Sequence, residues 1–282
     1  MAGRDKRKSE DAKTIKIVQT MWVDTTTLTI DKDKCISCNL CKSVCPMSAL
    51  SLKVEGERTV PAADESKCSL CGLCVEFCPA QAIRMSEHNS WKQTHVERRP
   101  ILEVGGVPHF SRGMTLDASL CPDGCELCVA ECPRNALRKG ESSVELDRTL
   151  CLSCSHCKDV CPVEGAITIE PLFDGGIQVD TGKCPLGCQL CIEACPTKCY
   201  TKTPPRGVRV DSRHCICCGA CTVACFYGAI DLSRLRINSE GEGYSAVWSR
   251  AVDQVLSESA RFLGQNGQSM SRLEELLKDS RL

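Results

Sequence analysis

The chain has 282 residues, of which 26 are cysteines and 4% are aromatic, and its formal charge at pH 7 is −1. So many cysteines usually indicate a secreted disulfide scaffold. The first thirteen residues are polar and of mixed charge, unlike a signal peptide, and no window approaches the roughly 18 apolar residues that span a bilayer. We therefore expect a cytoplasmic protein, without a membrane span, whose thiolates bind metal.

In chain order, residues 1–23 are expected to form a flexible charged leader. Residues 22–30 are rich in β-branched side chains and predict a strand that ends just before a cysteine-rich segment. That segment occurs six times, with half-repeats of about 30 residues that begin at Cys35, Cys68, Cys121, Cys151, Cys184 and Cys215. Each copy predicts a short strand, a tight loop with three cysteines, a helical turn with a fourth cysteine, and another short strand.

The spacing of cysteines in each copy is C-x2-C-x2-C-x3-C-P or a close variant of it. In bacterial ferredoxins this run holds cubane iron–sulfur clusters, with three thiolates on one cluster and the fourth on its neighbour. Structural zinc is disfavoured because it prefers two well-separated pairs of cysteines. The sequence therefore predicts six [4Fe-4S] clusters.

Exchange of the fourth cysteine between paired copies assigns all the metal ligands. The six predicted sets are Cys35, Cys38, Cys41 and Cys78; Cys68, Cys71, Cys74 and Cys45; Cys121, Cys125, Cys128 and Cys161; Cys151, Cys154, Cys157 and Cys132; Cys184, Cys188, Cys191 and Cys225; and Cys215, Cys218, Cys221 and Cys195. Two cysteines remain outside these sets. Cys199 occupies a position where other copies have alanine and is expected to fill a small space, and Cys217 is expected to be a bystander.

Small variations distinguish the copies from one another. The third and fifth copies carry one extra residue between their first two cysteines, and Gly124 and Gly187 are expected to accommodate it with positive φ. Phe226 replaces the proline of the other copies. His156 lies between two predicted ligands and is interpreted either as a solvated loop residue or as a hydrogen-bond donor near a cluster.

Two copies make one two-cluster module, so the predicted fold class is α+β, with three tandem 8Fe-8S ferredoxin modules and a C-terminal amphipathic helical extension. The predicted divisions are the leader 1–23, first module 24–86, linker or docking arm 87–113, second module 114–171, third module 176–233 and extension 234–282. Within the extension, helices are predicted over residues 244–263 and 271–278. The first of these either packs on the third module or docks on a partner subunit.

Bound metal would make the protein acidic. Each oxidised cubane with four thiolates adds about −2, so six would take the charge from −1 to roughly −13. This charge disfavours nucleic acids and anionic membranes as partners.

Residues 30–231 resemble the polyferredoxins of methane-metabolising archaea, and in particular the polyferredoxin subunit of formylmethanofuran dehydrogenase. The similarity lies in the form C-P-x-G-C-x-L-C-x-x-x-C-P at 121–133 and 184–196 and in the extension that contains Trp248. The resemblance implies a subunit that relays low-potential electrons to or from a tungsten- or molybdenum-dependent, carbon-dioxide-reducing active site on other subunits.

No catalytic triad, P-loop or dinucleotide fingerprint is present in the sequence. We therefore expect an electron-transfer subunit of an oxidoreductase complex rather than an enzyme in its own right. One alternative is a polyferredoxin that serves a hydrogenase or a heterodisulfide reductase. An alternative of a different class is an assembly scaffold whose clusters are structural.

Overall fold

Short strand pairs and single-turn helices make up most of the fold, as the short stretches between cysteine motifs require. The computed structural model describes residues 5–56, 58–97, 109–140, 143–240 and 245–263. Its strands are β1 (Asp5–Glu10), β2 (Thr14–Met21), β3 (Asp24–Asp31), β4 (Leu50–Glu55), β5 (Arg58–Ala63), β6 (Ile83–Asn89), β7 (Thr94–Glu97), β8 (His109–Phe110), β9 (Gly113–Leu116), β10 (Leu137–Lys139), β11 (Val144–Leu146), β12 (Ile167–Glu170), β13 (Phe173–Val179), β14 (Tyr200–Lys202), β15 (Val208–Val210), β16 (Ile230–Ile237) and β17 (Ser239–Glu240). Its α-helices are α1 (Leu40–Ser43), α2 (Leu73–Glu76), α3 (Leu127–Glu131), α4 (His156–Asp159), α5 (Leu190–Ala194), α6 (Ala220–Ala224) and α7 (Ala246–Leu263).

One arrangement of these elements occurs three times, and we call its copies the first, second and third repeats. An outer antiparallel pair joins the two ends of each repeat: β3 with β6, β9 with β12, and β13 with β16. An inner hairpin lies between them: β4 with β5, β10 with β11, and β14 with β15. Because the outer strands pair over a long sequence separation, the two cysteine motifs of each repeat fold back toward each other.

The N-terminal segment is part of a sheet, so the prediction of a flexible charged leader over residues 1–23 is wrong for residues 5–21. Strands β1 and β2 extend the outer pair of the first repeat into a five-stranded antiparallel sheet, in the order β1-β2-β3-β6-β7. Ile15 and Ile17 are fully buried while Lys16 between them is exposed, which is the alternation of a half-buried strand. The buried Lys32 Nζ lies 2.8 Å from Glu10 Oε1, so part of the charge that suggested a leader is paired inside the sheet.

The stretch 87–113, predicted as a linker or docking arm, packs on the chain itself wherever the structure describes it. Residues 87–89 complete β6, and β7 pairs back on that strand. Strand β8 pairs with β17, and the ring of Phe110 lies edge-on to that of Phe77, with centroids 4.9 Å apart. Residues 98–108 of this stretch lie outside the described residues.

Helix α7 lies where the sequence analysis placed an amphipathic helix over residues 244–263. Its apolar face packs on β16 and on α1, with Trp248, Ala251 and Val255 buried. The Trp248 ring stacks on Phe77 of the first repeat at a centroid distance of 6.2 Å. The helix therefore joins the first and third repeats, while the predicted helix over 271–278 lies outside the described residues.

A helix that crosses a bilayer needs about 20 predominantly apolar residues in succession. Among the described residues, no helix combines that length with that apolar character.

The buried tryptophan gives a direct test of the packing of α7. Trp248 is 0% exposed, so Trp248→Ala is expected to lower the free energy of unfolding by about 3–5 kcal/mol through lost burial and the resulting cavity. Trp22 is 84% exposed, and Trp22→Ala should change the stability by no more than about 0.5 kcal/mol. Anaerobic urea unfolding followed by circular dichroism measures both, and equal midpoints for the two variants would contradict the assigned role of Trp248.

Candidate metal centre

The cysteine loops depend on left-handed backbone, which turns successive thiols and amides toward one side. In the four copies with the shorter spacing, the second and fourth residues after the first cysteine have positive φ: Ser37 and Asn39, Leu70 and Gly72, Ser153 and Ser155, and Cys217 and Gly219. Non-glycine residues rarely adopt this conformation, so its recurrence at matching positions marks a specific loop shape. Gly124 and Gly187 have φ of 70° and 77°, which confirms the prediction that they accommodate the extra residue.

The fourth cysteine of most copies accepts a hydrogen bond from the amide four residues later. These N–H···S distances are 3.2 Å from Ala49 to Cys45, 3.3 Å from Ala82 to Cys78, 3.2 Å from Ala136 to Cys132 and 3.4 Å from Ala229 to Cys225. All four alanines are buried, so this position favours a small side chain. An amide donor stabilises the thiolate form of the sulfur it contacts.

Cys199 takes the alanine position in the fifth copy, as predicted, and its thiol adds a contact that alanine lacks. Its Sγ lies 3.4 Å from Cys195 Sγ, and this hydrogen bond lowers the pKa of Cys195 to about 6. Hydrogen bonds from Cys199 and from the buried Cys217 lower the pKa of Cys215 to about 3. Both additional thiols thus adjoin the set that contains Cys195 and Cys215.

In the first repeat, the fold brings each fourth cysteine to the other motif. Burial and the neighbouring thiolates of Cys78 and Cys35 raise the pKa of Cys41 to about 12. Burial raises the pKa of Cys74 well above its usual range, and the Cys45 thiolate contributes to that increase. Thiols of both motifs thus lie close enough in this repeat to raise one another's pKa values, which supports the predicted exchange of fourth cysteines.

In the second repeat, two apolar cavities mark the same arrangement. One cavity is lined by Cys121, Cys125, Cys128 and Cys161, and the other is lined by Cys132, Cys151, Cys154 and Cys157. Each cavity thus collects one complete predicted set of four thiols. The remaining lining is mainly aliphatic, although Arg134 and His156 also line the second cavity.

The third repeat follows the same pattern. Burial raises the pKa of Cys218 to about 12, with the thiolate of Cys195 among the neighbours that contribute. Burial and the thiolate of Cys225 raise the pKa of Cys184. As in the first repeat, thiols of both motifs thus contribute to the raised pKa values.

The donor chemistry of these sets fits a cluster with a positive core. Burial first, and neighbouring thiolates after it, raise the pKa of thiols such as Cys41 and Cys218, and bound metal would remove that cost of charging them. Within the ranges that the structure describes, no three His, Cys, Asp or Glu side chains converge to hold a single metal ion. In the second repeat the thiols instead line the two cavities described above.

Two arginines that the sequence analysis missed hold the cysteine loops. The buried Arg234 donates from Nε to the carbonyl of Cys217 at 2.8 Å and from a terminal nitrogen to that of Cys218 at 2.9 Å. Arg112 donates to the carbonyls of Glu76 and Cys78 at 2.7 and 2.8 Å. No local pattern signals these roles, because each arginine lies at least 16 residues from the loop it contacts.

His156 is half-buried and hydrogen-bonded, so of its two interpretations the solvated loop residue is wrong. Its Nε2 lies 2.7 Å from the Thr197 carbonyl oxygen, and its ring stacks on that of His214. Phe226, in contrast, is 84% exposed beside Cys225 and leaves the contacts of that thiol intact.

Two family models, both described as a 4Fe-4S dicluster domain, match residues 28–85 and 67–136. A subunit of the tetrathionate reductase of Salmonella typhimurium is 30% identical over 111 residues, which are 32% of this chain and 42% of that protein. An iron-sulfur protein of Rhodospirillum rubrum is 30% identical over 116 residues, covering 36% of this chain and 57% of the relative. The chain thus spans about half the length of these two relatives.

Two further similarities extend this picture. The thiosulfate reductase electron transfer subunit PhsB of Salmonella typhi is 27% identical over 139 residues, covering 40% of this chain and 70% of the relative. A chain in the formate dehydrogenase–heterodisulfide reductase–formylmethanofuran dehydrogenase complex of Methanospirillum hungatei superposes with a TM-score of 0.75 at 26% identity, over 90% of this chain and 92% of that chain.

These similarities agree with the prediction of an electron-transfer subunit that is not an enzyme in its own right, since the relatives are electron-transfer and iron–sulfur subunits of oxidoreductases. The chain therefore resembles iron–sulfur and electron-transfer subunits of oxidoreductases, and its matches to the 4Fe-4S dicluster models lie within residues 28–136.

Proposed function

We propose that this chain is a polyferredoxin that relays low-potential electrons to or from the active site of a formylmethanofuran dehydrogenase complex. The observation that carries the proposal is the second repeat, where each of two cavities is lined by four thiols drawn from both motifs. Two similar repeats carry the same cysteine motifs, so the proposal assigns 24 thiols to six sets of four. The extensive structural similarity to a chain of the Methanospirillum hungatei complex supports the choice of partner.

The proposed ligands are the six sets assigned from the sequence, each holding one [4Fe-4S] cluster. A bound cluster of this type supplies one-electron chemistry at low potential. The four thiolates of each set close the site against substrate, while the alanine amides and the loop amides donate toward sulfur and favour its charged form. Buried apolar walls keep water from the sulfur atoms, which suits electron transfer without bond making.

The active site and its catalytic residues would lie on other subunits, in the cytoplasm. A heterodisulfide reductase is the second candidate partner, since the matched complex also carries that name. Anaerobic copurification from the native cells, followed by identification of the bound subunits, distinguishes these partners.

The alternative of a structural scaffold is tested on the purified protein. Iron and acid-labile sulfide determination should give four of each per set, and dithionite reduction followed by electron paramagnetic resonance should show six clusters that accept electrons. Six clusters that resist reduction would overturn electron relay and favour a scaffold.

A matched pair of cysteine variants tests the proposed ligands. Cys195→Ser is expected to remove one cluster, with a loss of about one sixth of the iron, because oxygen is a poor substitute for thiolate on a soft cluster iron. Cys199→Ser, four residues away, should retain the full iron content because Cys199 is not a proposed ligand and a serine hydroxyl can still donate to Cys195 and Cys215. Iron and sulfide analysis under anaerobic conditions measures both, and equal losses would contradict the assignment.

A second prediction concerns the buried charge of Arg234. Reduction adds negative charge beside this guanidinium, so Arg234→Met should lower the reduction potential of the adjacent cluster, and Arg234→Lys should lower it less. Arg236, two residues along the same strand, is 66% exposed and paired with Asp174. Arg236→Met is therefore the control, since solvent screens its charge. Redox titrations followed by electron paramagnetic resonance measure the reduction potential of the cluster in each variant. Equal potentials in the two methionine variants would refute the role of Arg234.

A further inference from the structure

Two stacked histidines form the centre of the contact between the second and third repeats. The ring centroids of His156 and His214 are 3.7 Å apart, and the ring planes differ by 10°. His156 lies between Cys154 and Cys157, and His214 directly precedes Cys215. The stack therefore joins two of the proposed ligand loops, one from each repeat.

Each ring also forms a hydrogen bond with the opposite repeat. His214 Nδ1 donates to the Cys154 carbonyl oxygen at 3.2 Å, and His156 Nε2 donates to the Thr197 carbonyl oxygen at 2.7 Å. The histidines must be the donors because a carbonyl oxygen can only accept, which fixes a proton on each of these nitrogens. The Thr197 hydroxyl in turn lies 3.4 Å from Cys195 Sγ. Two short routes of covalent and hydrogen bonds thus connect the thiol set of Cys154 with that of Cys195 and Cys215.

Surrounding contacts hold the stack in place. Arg213 forms an ion pair with Asp159 across the same boundary, at 3.1 Å. Leu152 and Ile216, which follow the first cysteines of the fourth and sixth copies, are buried in one shared apolar cluster. The fourth copy of the motif therefore packs against the sixth, although the fifth is its neighbour in sequence.

The sixth copy also faces the first repeat. Cys38 packs against the apolar cluster that contains Cys218 and Ala220. A cavity between the two motifs is lined by Cys38 from one side and by Gly219 and Thr222 from the other. The thiol set of Cys215 and Cys218 therefore lies between the first and second repeats.

We propose that the cluster held by the set of Cys215 and Cys218 is the junction of the electron path, where electrons pass between the second repeat and the rest of the chain. His156 and His214 are positioning residues that hold the ligand loops of the second and third repeats together at this junction. The inference rests on the proposed electron relay. Electron tunnelling weakens steeply with separation, so the route follows contacts between loops and not the order of the motifs in the chain. The stacked rings keep two ligand loops close and exclude water between them.

Three double variants test the junction. His156→Phe with His214→Phe keeps two rings but removes both hydrogen bonds, whereas His156→Gln with His214→Asn keeps a donor at each position but removes the stack. His88→Phe with His95→Phe is the control, because that histidine pair, with centroids 6.3 Å apart, lies in the N-terminal sheet away from the proposed ligands.

The readouts are iron and sulfide content, magnetic interaction between reduced clusters in electron paramagnetic resonance, and redistribution of an electron injected by pulse radiolysis. Both junction variants should keep their iron but lose one inter-cluster interaction and redistribute the electron more slowly, while the control matches the parent protein. Parent-like interaction and redistribution in an iron-replete junction variant would overturn the proposal. If the double phenylalanine variant loses iron, the proposal is tested on the variant with His156→Gln and His214→Asn, with the same readouts. Failure of the parent protein's clusters to accept electrons would instead refute the relay itself.

Discussion

Burial of thiols that must carry charge is the constraint on which this structure depends. Burial, and after it the repulsion of neighbouring thiolates, raises the pKa of Cys41 and of Cys218 to about 12 and so opposes a fully charged set. A positive cluster core would turn that repulsion into attraction, so metal binding and folding become a single process. The left-handed loop residues and the buried alanines follow from the same requirement, since they aim thiols and amide donors at one point.

Pairing between strands that are distant in sequence brings the two cysteine motifs of each repeat together. The outer strands of each repeat close around both cysteine motifs, and only this closure brings a fourth cysteine to the opposite loop. The repeats then share apolar clusters, so the boundaries between them are packed interiors and not linkers. Arg234 and the histidine stack tie cysteine loops to distant elements by hydrogen bonds to backbone carbonyls.

The parts of the structure that could be predicted from sequence are those that a local pattern encodes. Cysteine spacing predicted the two sets of four thiols that line the cavities of the second repeat, and a one-residue insertion predicted the positive φ of Gly124 and Gly187. The N-terminal strands were missed because only two residues, Ile15 and Ile17, supply their buried face within a charged segment. The role of Arg234 and the pairing of His156 with His214 could not be predicted, since each depends on residues brought close only by the fold.

The contact between Trp248 and Phe77 can form only late in the synthesis of the chain. The face of the first repeat around Phe77 is covered only when residues far along the chain have left the ribosome. Until then the first repeat exposes an apolar surface. A growing chain thus needs protection from aggregation while α7 is still absent. Once helix α7 has been synthesised, Trp248 covers this apolar surface.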